Sequence, residues 1–446
     1  MLRHFVSSLP SVARDVKDRC LILTVKGGGG HLQAAKSKEA ELSKDFPGTH
    51  IATIDVMVEW GKYFLGGVFS EMWNRAQRKG DLVFLEMSVR GQPIIDTFLW
   101  LPVFISAVYT LKKHEINWVI DTQNMTMSAI IKAIRFVQYW TKKEIVYEKV
   151  LTDLPTEKAT HFFNPIKRLC KKDRKQIRLI TTKPLLSDKE SEEVFWNKTC
   201  KLPLSSVQYT ALPLRPSFQN RKSSPTKAPL TLEFQTTQPQ QRDLIRKALA
   251  TGSIPIQWKD DRFQITMTPE VVVSTIMLGS HPHGKAILEY TKQFIDVAKT
   301  HQDSTKNTLL FIFCSEALTS KCTLMKQIVS LIQKEANFAP TLTIIPLPYQ
   351  NDTVIAPLYE RSDVTVTRSG GMTSMELLTL SNGQILIHKQ DPPRFLSPLC
   401  KAFETIREGM PPWEWGNAEY LREKKGARFV SPHLLSPIYA EIISSL

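Results

Sequence analysis

Four consecutive glycines and a histidine, Gly27-Gly28-Gly29-Gly30-His31, separate the apolar run Cys20-Leu21-Ile22-Leu23-Thr24-Val25 from a helix start at Leu32-Gln33-Ala34-Ala35. Strand, glycine turn and helix in that order open a parallel α/β sheet, and they bring backbone N–H groups and a helix N-terminus close to a polar or anionic ligand. Four glycines in a row cost chain entropy, which argues against a turn that merely connects. The turn fits neither common nucleotide loop. Counting G-x-G-x-x-G from Gly27 and Gly29 puts Leu32 at the third glycine, and no G-K-[ST] follows. What remains is close backbone approach at Gly28, Gly29 and Gly30 with an imidazole at the helix start. A neutral imidazole can take the proton of an attacking hydroxyl, so His31 is the first choice for general base or for orienting an acceptor.

Apolar strands and helical stretches alternate beyond this turn, the pattern of a parallel sheet. The strands expected in the first half are Leu21–Val25, His50–Asp55, Trp118–Asp121, Ile145–Thr152 and Ile177–Thr181, with helices at His31–Asp45 and Met125–Arg135. Asp55 and Asp121 close their strands and Asp153 follows a third. Functional residues collect at such C-terminal edges, so all three are further candidates for proton transfer beside the simpler role of capping. A second series follows: strands Val271–Leu278, Leu309–Cys314, Leu342–Ile345, Val364–Thr367 and Gln384–Ile387, with helices including Lys285–Lys299 and Thr373–Leu380. Between the two series, Gln219–Thr226 and Gln238–Gln241 are polar and rich in helix and strand breakers, the composition of a linker. The expected division is a first domain over 1–218, a linker and entry segment over 219–262, and a second domain over 263–446. The C-terminal helix is free to pack back on the first domain.

A chain of 446 residues has room for two such cores. Its formal charge of +15 and pI of about 9.4 point to an anionic partner: nucleic acid, acidic lipid or a phosphorylated substrate. The densest basic segment holds Lys167, Arg168, Lys171, Lys172, Arg174, Lys175 and Arg178. No zinc finger, RNP pattern or aromatic-interleaved basic strand accompanies it, which disfavours nucleic acid. Cysteines at 20, 170, 200, 314, 322 and 400 include no C-x-x-C, so zinc and dithiol chemistry are not expected and a reducing compartment is. Arg3 and His4 precede no long apolar core of the kind a signal peptide carries. Ile94–Leu111 is the most membrane-like stretch, but Asp96 and Pro102 interrupt it. Its aromatics Phe98, Trp100, Phe104 and Tyr109 suit a helix lying in a membrane interface, or a buried amphipathic helix pair.

A second glycine turn, Arg368-Ser369-Gly370-Gly371-Met372-Thr373-Ser374-Met375-Glu376, follows the strand Asp363–Thr367 and leads into a helix. Gly370 and Gly371 would let a diphosphate sit on free N–H groups, Thr373 adds a hydroxyl, and Glu376 one turn on could accept from a ribose diol. Pro411-Pro412-Trp413-Glu414-Trp415-Gly416-Asn417 places a carboxylate and an amide, Glu414 and Asn417, on one helix face, where they suit sugar hydroxyls. Gly279-Ser280-His281-Pro282-His283-Gly284-Lys285-Ala286 nearly spells a phosphate loop, but Ala286 has no hydroxyl for magnesium. His281 and His283 lack a nearby third ligand, so no metal is expected.

Taken together and in order, these motifs resemble the monogalactosyldiacylglycerol synthase and processive diacylglycerol glucosyltransferase family. More distantly they resemble the peptidoglycan N-acetylglucosaminyltransferase that acts on a lipid-linked acceptor. The resemblance rests on Gly28-Gly29-Gly30-His31 with Ala34-Ala35, Leu151-Thr152-Asp153, Leu212-Pro213-Leu214-Arg215-Pro216-Ser217-Phe218, Gly279-Ser280, Ser369-Gly370-Gly371-x-Thr373-x-x-Glu376, and Glu414-x-Gly416-Asn417-x-x-Tyr420-Leu421 with Gly426-Ala427. Trp413 stands where the family has glutamine, Ala211 where it has glycine, and His161-Phe162-Phe163 near its acceptor histidine–tryptophan stretch.

The resemblance implies the GT-B fold, two Rossmann-like parallel-sheet domains facing a cleft, with the acceptor in the first and a nucleotide sugar in the second. It implies an inverting transfer without metal or cofactor, the UDP-sugar being a co-substrate. His31 and Asp153 would act at the reaction centre. Gly279, Ser280, Arg368, Ser369, Gly370, Gly371, Met372, Thr373, Glu376, Glu414 and Asn417 would meet the donor. Gly28, Gly29, Gly30, Asp55 and Asp121 would line the acceptor side. The expected function is transfer of a hexose to a membrane lipid such as diacylglycerol by a cytoplasmic enzyme peripherally bound to an acidic membrane. The alternatives are a protein or soluble acceptor on the same fold, or a silent protein that binds acidic membrane or nucleic acid.

Overall fold

The computed structural model describes residues 19–446 apart from 28, 62–65, 158, 188–190, 211–212, 222–226, 251–253, 301–305, 315–321, 336–340 and 391–408. Gly28, Ala211, Leu212 and Cys400 therefore lie outside the described residues. The first sheet is parallel throughout and holds β1 (Arg19–Thr24), β2 (His50–Asp55), β3 (Trp118–Asp121), β4 (Val146–Val150), β5 (Ile177–Thr181) and β6 (Val207–Tyr209), in the order β2-β1-β3-β4-β5-β6. The second is also parallel and holds β10 (Val272–Met277), β11 (Thr308–Phe313), β12 (Leu342–Leu347), β13 (Val364–Thr367), β14 (Gln384–His388) and β15 (Arg428–Val430), in the order β12-β11-β10-β13-β14-β15. Both orders are the doubly wound arrangement of a Rossmann-like domain, and two such domains facing a cleft make the GT-B fold. The central strands read as unbroken apolar runs because helices cover both faces; β10 and β12 are buried along their whole length.

The longer helices are α1 (Gly30–Asp45), α2 (Gly66–Lys79), α3 (Leu82–Lys113) and α4 (Met127–Thr141), then α5 (Pro239–Leu249), α6 (Gly284–Thr300), α7 (Thr323–Lys334) and α8 (Asp352–Arg361), and finally α9 (Gly371–Leu380), α10 (Pro412–Lys425) and α11 (Leu435–Ser445). In each sheet the winding reverses once, between β1 and β3 and between β10 and β13. The glycine turn at residue 27 leaves β1 at the first reversal. The turn at 279 and the turn at 370 leave β10 and β13 at the second. Reversal points are where such sheets hold ligands, so both glycine turns are delivered to binding crevices by topology alone.

Three expectations are revised. The segment read as linker and entry is instead folded, with β7 (Leu230–Gln235), β8 (Ile256–Lys259) and β9 (Arg262–Met267) forming an antiparallel sheet in the order β7-β9-β8. Leu232, Phe234, Phe263, Ile265 and Met267 join the second domain's core. The C-terminal helix α11 packs on α6 of the second domain, with Tyr439 Oη 3.0 Å from Ser274 Oγ, where the sequence also allowed a return to the first. Nor is Ile94–Leu111 a helix pair. It lies inside α3, a single helix that runs through Pro93 and Pro102.

Candidate functional site

His31 is held at the start of α1 by the end of β3. Its Nδ1 lies 2.6 Å from the Thr122 carbonyl oxygen. A carbonyl only accepts, so this contact assigns the proton to Nδ1 and leaves Nε2 with its lone pair. Thr152 Oγ1 also sits 3.2 Å from Nδ1 and donates to Asp153 Oδ2 at 3.4 Å, so one hydroxyl links imidazole and carboxylate. Burial, reinforced by the Lys149 ammonium, lowers the His31 pKa to about 4 against the pull of the Thr122 carbonyl. His31 is thus neutral at neutral pH. Burial pushes Asp153 up to about 6, against its hydrogen bond from Asn417 and with repulsion from Glu414 adding to the rise.

Across the cleft, α9 starts at Gly371 with no side-chain cap and no acidic residue in its first turn. The same is true of α1, whose preceding residue Gly29 is left-handed with φ 79°. Both turns line one cleft of about 360 Å³, so two uncapped helix N-termini turn their positive ends on the same space. The lobes meet closely here. A Cβ on Gly29 would come within 2.7 Å of Ser280 Oγ, and one on Gly371 would overlap the Thr152 carbonyl oxygen and lie 2.9 Å from Asp153 Oδ1.

Gly29, Gly30, His31, Asp153, Gly279, Ser280, Arg368, Gly370, Gly371, Met372, Thr373, Glu376 and Glu414 all line this cleft. Other assigned residues serve elsewhere or are already engaged. Asn417 is fully buried: it accepts from the Leu154 amide at 2.7 Å and donates to Asp153 Oδ1 at 3.0 Å and the Ser369 carbonyl at 2.9 Å. The Leu154 and Asp153 bonds cross between the lobes and the Ser369 bond stays within the second, so this side chain is engaged at the lobe seam where the sequence suggested a sugar contact. Ser369 is buried beside it and donates to the Glu414 carbonyl at 2.8 Å. Glu376 receives Arg215 on both oxygens, at 2.6 and 2.8 Å, where the sequence assigned a ribose diol. Glu414 is paired with Arg368. Asp55 caps the short turn Val56–Trp60 and accepts the Lys26 amide at 3.0 Å, which anchors the base of the glycine turn. Asp121 is fully buried behind His31. Neither Asp55 nor Asp121 lines the cleft.

Three features escaped the sequence reading. Arg215 was visible only as part of a motif, and its partner lies 161 residues away. Trp413, which departs from the resembled motif, stacks on Trp73 at 5.3 Å and lies 6.1 Å from His161, so rings from both lobes meet at the cleft. The first-domain wall of the cleft is apolar, lined by Met57, Phe69, Trp73, Phe84, Val89, Ile95 and Met125. From there α2, α3 and α4 lead to an exposed apolar face: Phe98 is 76% exposed and Trp140 68%, with Leu101, Ile105, Tyr109, Phe136 and Tyr139 around them. Lys113 and Lys142 lie over the Tyr109 and Tyr139 rings at its edge. The basic segment 167–178 packs on α4, whose Lys132 and Arg135 pair with the segment's buried Asp173, while Arg174 donates to the Leu169 carbonyl at 2.7 Å.

No protein-family model matches the chain, and no curated protein matches it. Among solved structures it aligns with MurG from Acinetobacter baumannii at 12% identity and a TM-score of 0.46, over 96% of this chain and 91% of that one. It aligns with the spinosyn rhamnosyltransferase SpnG complexed with thymidine diphosphate at 9% identity and a TM-score of 0.44, over 96% and 92%. A UDP-GlcNAc 2-epimerase from Neisseria meningitidis bound to UDP-GlcNAc aligns at 12% identity and a TM-score of 0.40, over 96% and 100%. The fold assignment rests on the strand orders given above.

Proposed function

We propose that this chain is an inverting, metal-independent glycosyltransferase that moves a hexose from a UDP-sugar to a hydroxyl of a membrane lipid such as diacylglycerol. The observation that carries the reading is one cleft that holds both a bare imidazole nitrogen and two uncapped helix N-termini. Nε2 of His31 takes the acceptor proton while the acceptor oxygen bonds to the anomeric carbon. The bond from that carbon to the diphosphate oxygen breaks, and the electron pair leaves with the diphosphate toward the Gly371 helix N-terminus. A single displacement inverts the centre. Because the helix ends meet the leaving charge, the reading calls for no cation.

What supports a lipid acceptor is the apolar first-domain wall of the cleft and its continuity along α3 with the exposed face of α3 and α4. Aromatic rings with lysines over their edges, beside a basic segment, suit the headgroup region of an acidic bilayer. The proposed location is therefore the cytoplasmic surface of such a membrane. The test is UDP release on mixing the protein with UDP-hexoses and diacylglycerol vesicles. The expected result is vesicle-dependent turnover that His31→Ala abolishes while UDP still binds. Turnover only with soluble acceptors would move the substrate class, and turnover unaffected by His31→Ala would remove the imidazole from the mechanism.

A further inference from the structure

A buried charged cluster lies behind His31, and the transfer chemistry as written leaves it unused. Asp121 of β3 and Lys149 of β4 are register partners across the two parallel strands, and both are fully buried. Tyr147 shares the Lys149 face of β4, two residues away, and donates its hydroxyl to Asp121 Oδ2 at 2.6 Å. The Gln123 amide donates to Asp121 Oδ1 at 2.9 Å. Lys149 Nζ lies 3.8 Å from Asp121 Oδ1, donates to the Asp121 carbonyl at 3.4 Å, and donates more closely to the Gln123 carbonyl.

One ammonium therefore ties down the carbonyls on either side of Thr122. A chain that sends alternate carbonyls one way sends the intervening one the other way. The intervening carbonyl is the one that meets His31 Nδ1. Thr122 is further pinned by its amide, which donates to the Leu23 carbonyl at 2.9 Å, and by its hydroxyl at 3.0 Å from the same oxygen. A pair buried this completely stabilises a fold no better than apolar side chains of similar volume, so packing alone gives no reason for it.

We infer that Lys149 and Asp121 are positioning residues: their pair clamps residues 121–123 so that the Thr122 carbonyl holds the Nδ1 proton of His31 and leaves Nε2 as the acceptor in the cleft. The role of Nε2 in transfer rests on the function proposed above; the clamp on the tautomer does not. The ammonium also opposes protonation of the ring. Among the described residues, Asp153 meets His31 through the Thr152 hydroxyl, and the Arg215–Glu376 and Arg368–Glu414 pairs of the same cleft are each neutralised internally.

The test is nitrogen NMR of the full chain with labelled histidine, with His31→Gln identifying the signal. In the wild type, His31 is expected as the Nδ1–H tautomer and to protonate only near pH 4. Lys149→Met alone strands the Asp121 carboxylate, so the second variant is Asp121→Asn with Lys149→Met, a neutral pair of similar shape. The expected result in that double variant, folded by its melting curve, is mixed tautomers and a raised His31 midpoint, because the lost ammonium outweighs the loosened Thr122 bond. Where turnover is measurable, kcat falls by roughly tenfold to a hundredfold with KM for the nucleotide sugar unchanged. A wild-type Nε2–H tautomer, or a folded double variant with unchanged tautomer and midpoint, overturns the clamp. Absence of any transfer activity with these NMR results intact overturns only the proposed function.

Discussion

Acidification separates the two groups proposed to stand at the reaction centre, His31 and Asp153. A base must be in its unprotonated form, so the rate follows the neutral fraction of His31 or the ionised fraction of Asp153. With a pKa of about 4, His31 stays roughly nine-tenths neutral at pH 5. With a pKa of about 6, Asp153 is roughly nine-tenths ionised at pH 7 but only about one-tenth at pH 5. Lowering the pH from 7 to 5 therefore costs about a tenth of kcat/KM if the imidazole is the base, and about tenfold if the carboxylate is. The geometry favours the first outcome, because Asp153 already accepts from both Asn417 and Thr152 while the Nε2 lone pair of His31 is left over. Initial rates of UDP release between pH 5 and 8 at fixed ionic strength, on protein whose fold is checked at each pH, decide between them. A tenfold fall by pH 5 in folded protein would hand the proton to Asp153 and refute the assignment of His31.

Gly371→Ala should drive the Thr152 carbonyl away from α9. The overlap is expected to destabilise the protein by about 1–3 kcal/mol in denaturant unfolding and to lower turnover by separating the two helix ends; wild-type stability and rate would show that the lobes do not meet as described. Phe98→Ser combined with Trp140→Ser removes two exposed rings that lie outside the cleft. At about 1.5 kcal/mol or more for each buried ring, binding to acidic vesicles should weaken by roughly a hundredfold, with turnover on a detergent-dispersed acceptor unchanged; vesicle flotation equal to wild type would remove that face from membrane contact.

The parallel sheets were legible because their strands are short apolar runs with glycine turns at the crossovers. His50–Asp55, Trp118–Asp121, Ile177–Thr181 and Val364–Thr367 fall where the sequence puts them. The antiparallel sheet was not, although its signal was present: Leu230, Leu232 and Phe234 alternate, as do Phe263, Ile265 and Met267. Breaker-rich flanks at 219–226 and 238–241 outweighed that alternation, and Asp260, at φ 48°, makes the hairpin turn without a glycine. Within α3 Pro102 misled because it is carried inside a helix packed along α4 by Leu99, Val103, Ala107 and Leu111. Among site residues the position of the glycine turns and of His31 at one cleft was readable, since strand–turn–helix order sets it; the Thr122 carbonyl that holds the imidazole was not. The duties of Glu376, Asn417 and Asp121 were not. Each is set by a partner that only the tertiary fold supplies: Arg215 for Glu376, the Leu154 amide for Asn417, Lys149 for Asp121.

The length of α3 has a mechanical consequence. Its 32 residues make one rod of about 48 Å. Phe84, Ser88, Val89, Gln92 and Ile95 along its first half form wall of the cleft, while Phe98, Leu101, Ile105 and Tyr109 further along stand in the open. Pro93 and Pro102 each withhold one hydrogen bond from the ladder between those halves, so the rod carries two joints where it can bend. Anything that gripped the outer half would thus reach the cleft wall through a jointed arm and not through a stiff lever.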